Sequence, residues 1–67
     1  MNRTTGNTSF RVQVPGANSI YTTTYDEALE QATIVMAGNG FGYIYTIGNG
    51  PSRLVARFEP HYGVVPA

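Results

Sequence analysis

The chain contains no cysteine, so neither a disulfide framework nor a thiolate zinc site can be built from it. That absence fits a reducing compartment. Lysine is missing too: four arginines balance four acids, and the formal net charge is zero. Binding driven by the phosphate backbone needs accumulated positive charge, and a neutral chain supplies none in bulk. Long-range steering toward a charged membrane is disfavoured for the same reason. No stretch approaches the ~18 apolar residues of a membrane span. Met1 to Ser9 is polar and lacks the apolar run of a signal peptide. Asn2-Arg3-Thr4 and Asn7-Thr8-Ser9 match the glycosylation pattern, but without a secretion signal they read as chance. A cytoplasmic location is expected.

The 67 residues have room for one domain. A domain of that size removes only about 60% of its unfolded surface from water, which predicts modest stability. Residues 1–9 read as a flexible arm, 10–59 as the folded domain and 60–67 as a tail. Phe10, Val12 and Val14 alternate with Arg11 and Gln13, the period-two pattern of a strand with one buried face. Pro15-Gly16 ends it as a turn pair. Ser19 to Thr23 is a second, weaker strand, rich in β-branched residues and tyrosine.

Thr24-Tyr25-Asp26-Glu27 is a capping box, and Asp26 and Glu27 lie where a helix dipole favours negative charge. The helix is predicted over Tyr25–Ala37, with Gly38 as a left-handed terminator. At 100° per residue, Tyr25, Ala28, Leu29, Ala32, Val35 and Met36 share one stripe, while Ile34 lies nearly opposite.

Phe41–Ile47 and Ser52–Phe58 read as strands joined through Gly48-Asn49-Gly50-Pro51, and Asn-Gly is a strong hairpin signal. With Asn49-Gly50 as the two loop residues, Ile47 faces Ser52, Thr46 faces Arg53 and Tyr45 faces Leu54. Ile44 then faces Val55, Tyr43 faces Ala56 and Phe41 faces Phe58. Directly opposed residues share a sheet face. One face is therefore expected to carry Phe41, Tyr43, Tyr45, Ile47, Leu54, Ala56 and Phe58 against the helix. The other carries Gly42, Ile44, Thr46, Arg53, Val55 and Arg57. The whole is an α+β domain, ββαββ in order, one helix packed on one face of a four-stranded, mainly antiparallel sheet of order 2-1-3-4. The apolar tail residues Tyr62, Val64 and Val65 could close an edge.

Chemistry-bearing constellations are sparse. His61 is the one histidine, in Glu59-Pro60-His61-Tyr62 after the last strand. A nucleophilic reading would pair it with Glu59 and a serine, but Ser9, Ser19 and Ser52 have no elbow context. One histidine and four scattered carboxylates offer no metal-ligand spacing. Gly38-Asn39-Gly40-Phe41-Gly42 is glycine-rich, but it leaves a helix and enters a strand, the reverse of a phosphate loop. No enzyme activity, cofactor, metal or small-molecule substrate is expected.

A binding role is what remains. Arg11, Arg53 and Arg57 are expected on the uncovered sheet face around an Ile44–Val55 pair, an apolar centre with a rim of arginine as at protein interfaces. Arginine suits carboxylates there through its two-pronged donors. The expectation is a small non-enzymatic protein-binding module using Arg11, Ile44, Arg53, Val55 and Arg57. Its partner would be a second copy (a homodimer) or a different, acidic protein. In style, though through no motif, the chain is similar to accessory and inhibitor proteins of bacteriophages that mask a host enzyme in the host cytoplasm. The alternative is single-stranded nucleic-acid binding: a one-residue slip of the hairpin would turn Tyr43 and Tyr45 outward as a stacking platform beside the arginines.

Overall fold

The computed structural model describes residues 9–48 and 50–67. The expected arm over 1–9 falls outside the described residues except for Ser9, which opens the first strand. In chain order the elements are β1 (Ser9–Gln13), β2 (Ile20–Thr22), α1 (Tyr25–Ala37), β3 (Gly42–Gly48), β4 (Gly50–Glu59) and β5 (Gly63–Pro66). They form one helix on an antiparallel sheet of order β2-β1-β3-β4-β5. The α+β class and the 2-1-3-4 order agree with the sequence reading. The fifth strand goes beyond it: Val64 pairs with Phe58 and Val65 with Arg57, so the tail closes the β4 edge.

Local chemistry explains most of the boundaries. Between β1 and β2 the amide of Ala17 donates to the Val14 carbonyl at 3.0 Å. Gly16 lies there at φ +82°, the left-handed position that follows proline in a type II turn. The capping box is complete: the Glu27 amide donates to Thr24 Oγ1 at 3.1 Å, and Glu27 Oε1 accepts from the amides of Thr24 and Thr23. At the other end Gly38 is not the left-handed residue, since its φ is −94°. Asn39 takes that role at φ +69°. Its amide bonds the Met36 carbonyl and that of Gly40 bonds Val35, the Schellman arrangement displaced by one residue.

The helix stripe packs as its periodicity requires. Ala28 and Ala32 are fully buried against Val12, Ile44, Ala56 and Phe58, with Tyr25, Leu29, Val35 and Met36 around them. Ile34 is 63% exposed on the opposite side.

The β3–β4 hairpin departs from the expected register, and the departure decides the site. Thr46 opposes Arg53 and Tyr45 opposes Leu54, as the turn chemistry implied. Gly48, however, opposes Gly50, and the register shifts twice, between Thr46 and Gly48 and between Ile44 and Tyr45. Beyond the second shift Ile44 opposes Ala56, Tyr43 opposes Arg57, and Gly42 opposes Phe58. Val55 is the extra residue of a β-bulge, which swaps the faces of everything after it on β4. Gly50 has the positive φ of a hairpin glycine, +99°. Asn49, the other expected loop residue, lies outside the described residues.

Candidate interaction face of the sheet

Because opposed residues share a face, the pairings fix what the sheet shows on the side away from α1. One row runs across four strands as Tyr21, Arg11, Tyr45 and Leu54. A second runs as Gln13, Tyr43, Arg57 and Val65. Ser9 and Ile47 extend the surface at one end, and Glu59 beside Gly63 closes it at the other. Among the described residues the single helix packs on the opposite side and nothing covers these rows.

Three of the five residues expected on this face are elsewhere. Ile44 is fully buried against the helix. Val55, in the bulge, is half-buried and packs against the same core. Arg53 is exposed, but it opposes Thr46, which opposes Phe10, and the Phe10 ring meets Tyr25 of α1. It therefore lies on the helix side of the sheet. Arg11 and Arg57 do occupy the uncovered face. The aliphatic patch centred on Ile44 and Val55 is corrected accordingly: tyrosines take its place.

The physical reason lies in what a small core accepts. Ile44 has no polar atom to satisfy, whereas a buried tyrosine needs a partner for its hydroxyl. Turned outward, Tyr43 and Tyr45 keep their hydroxyls near water and half-bury their rings among cross-strand neighbours. Gly42 then faces the helix, and its lack of a side chain makes room for Phe58, which is 2% exposed.

The rows also order the charged groups. Arg11 lies between Tyr21 and Tyr45 in the register, and its guanidinium carbon sits 4.7 Å from the centre of the Tyr45 ring. Its Nε is buried and finds no hydrogen-bond partner among the described residues. Of the four acids, Asp26, Glu27 and Glu30 are on the helix, and Glu59 alone borders this face. The Glu27 carboxyl is held below its usual range, first by the hydrogen bond from the Thr23 amide and then by those from the Thr23 hydroxyl and the Thr24 amide. No helix among the described residues is long and apolar enough to cross a membrane.

No protein-family model matches the chain, nor does any curated protein or solved structure.

Proposed function

We propose that the chain is a small non-enzymatic binding module whose uncovered sheet face engages the acidic surface of another protein. The observation that supports this best is the composition of the two rows: three tyrosines, Leu54 and Val65 set around Arg11 and Arg57. Tyrosine and arginine are the residue types that most often dominate binding energy at protein interfaces, and the aliphatics supply the dry area between them. An acidic partner fits better than a second copy. A two-fold dimer would set this patch against itself, with only Glu59 to answer two arginines, and like charges across an interface are costly.

The test combines mass in solution with capture by face variants. The chain alone should sediment at the mass of one copy and retain an acidic protein from its native host. Charge reversal at Arg11 and Arg57, or Leu54→Asp, should abolish retention with circular dichroism unchanged. Retention untouched by all three substitutions refutes the face. A doubled mass for the chain alone would favour the homodimer.

The outward tyrosines specifically favour a second reading, single-stranded nucleic-acid binding. Tyr43 and Tyr45 sit two apart on the central strand with Arg11 and Arg57 on the strands beside them, a stacking arrangement sheet-face RNA binders use. The neutral charge and the aliphatic residues of the rows count against it. A labelled oligonucleotide at low salt discriminates: binding that falls steeply with added salt supports this reading and displaces the first.

A further inference from the structure

At the end of the uncovered face, where β4 turns into β5, the surface is concave. A half-open groove of about 360 Å³ is lined there by Phe41, Tyr43, Arg57, Glu59, Tyr62 and Val65. The fold does not require its aromatic walls. Phe41 is 48% and Tyr62 73% exposed, and both contribute to the rim although neither belongs to the core. Gly63, at φ +75°, turns the chain so that Tyr62 borders the groove from the β4–β5 connection. Arg57 is exposed, and its cross-strand neighbours are Tyr43 and Val65, neither of which carries a carboxylate. Glu59 follows two positions along the same face, about 7 Å away at strand spacing.

A cavity of this size lies at the small end of ligand pockets, with room for one side chain and its flanking groups. An arginine on its wall disfavours a cationic guest, and a carboxylate two positions along the same strand disfavours a phosphate. What fits both is an apolar side chain carried on a peptide, with one acid on the arginine side and a backbone amide on the glutamate side. We propose that this groove anchors the acidic partner. An apolar residue at a turn of the partner packs among Phe41, Tyr62 and Val65, and the carboxylate of the next residue pairs with Arg57. The inference rests on the reading of the sheet face as a protein-binding surface, and it locates the anchor of that surface. Interface energy concentrates where an anchor side chain fills a pocket, and a guanidinium can hold a carboxylate through two parallel hydrogen bonds.

The test needs no partner protein. The isotope-labelled full chain is titrated with N-acetyl-Phe-Asp-amide and, separately, with N-acetyl-Phe-Asn-amide, following backbone amide resonances. The aspartate peptide should shift Gly42, Tyr62, Gly63 and Val65 at millimolar concentration and bind about tenfold more tightly than the asparagine peptide. Arg57→Gln should erase that tenfold difference, and Tyr62→Ala should remove binding of both. Ile34→Ala, on the exposed outer side of the helix, should leave both titrations unchanged. Three outcomes overturn the proposal: no shifts around the groove, equal affinity for the two peptides, or stronger shifts of the same amides by uridine monophosphate. Failure here is distinct from failure of the face. Groove variants that lose the peptide yet still retain the partner sink the anchor alone. Arg11 and Leu54 variants that keep the partner sink the face.

Discussion

The guanidinium of Arg11 lies over the ring of Tyr45, 4.7 Å from its centre. A cation on a tyrosine face is worth about 0.5–1 kcal/mol at exposed sites. The same arrangement buries an Nε that finds no partner among the described residues, and an unmet donor costs a comparable amount or more. The two effects oppose each other, so the pair contributes little net stability; under the proposed reading its role is to hold the arginine in place for a partner. Arg11→Met, which keeps the stem but removes the charge, should shift the unfolding free energy by less than about 1 kcal/mol in urea titration. Partner binding should drop about tenfold in the same variant.

Two apolar residues of the hairpin lie on opposite faces of the sheet. Ile44 is fully buried, and Leu54 is half-buried on the open face. A domain of this size has about 3–10 kcal/mol to lose, and an unpaired charge in the core costs several. Ile44→Asp should therefore unfold the chain, seen as loss of the helical circular dichroism signal. Leu54→Asp should cost only about 1 kcal/mol and leave the spectrum intact while abolishing partner capture.

Gly42 should tolerate no side chain. A Cβ there would overlap the Gln13 carbonyl oxygen on β1 and stand 2.8 Å from Phe58 Cζ. The oxygen belongs to the backbone of a paired strand and cannot swing aside. Gly42→Ala is expected to destabilise the domain by about 1–3 kcal/mol, read from its urea midpoint. Gly50→Ala, with open space around its Cβ, should suffer only from its positive φ.

The helix start predicts an acid limb in stability. The Glu27 carboxyl is held down chiefly by the Thr23 amide, so its folded-state pKa lies below the unfolded one. A depressed carboxylate adds stability that is fully present above the unfolded pKa, near 4.3–4.5, and is lost as pH falls through the folded value. Thermal melts should show that decline below about pH 4.5, and Glu27→Gln should flatten it. Thr24→Ala, which removes the reciprocal acceptor for the Glu27 amide, should cost about 1 kcal/mol at neutral pH.

Much of this architecture is legible in the residues, for reasons that also mark where legibility ends. The capping box, the Phe10-Val12-Val14 alternation and the helix stripe are local signals, and each agrees with the structure. The Tyr45–Leu54 and Thr46–Arg53 oppositions also match, but through compensation: Gly48 opposes Gly50, one residue tighter than the expected turn, and the shift between Thr46 and Gly48 restores the pairing. The bulge at Val55 is not legible, because nothing in Leu54-Val55-Ala56 distinguishes an extra residue from a regular one. That single insertion reverses the face assignment for Ala56, Arg57 and Phe58 relative to Leu54, and Ile44 goes into the core while Tyr43 goes out. Gly42-Tyr43-Ile44-Tyr45 alternates equally well either way. The usable signal was chemical: the hydroxyls of two tyrosines are easier to satisfy at a surface than beneath a thirteen-residue helix.

The lateral margins of the sheet carry a further consequence. β2 has only three residues, and β5 has four and ends in Pro66, which has no amide hydrogen to donate. Short, proline-ended borders make poor templates for adding strands from neighbouring molecules. Fibrillar growth by sideways stacking is thereby discouraged, and a concentrated solution of this chain should stay dispersed even with Tyr21, Tyr43, Tyr45 and Tyr62 at its surface.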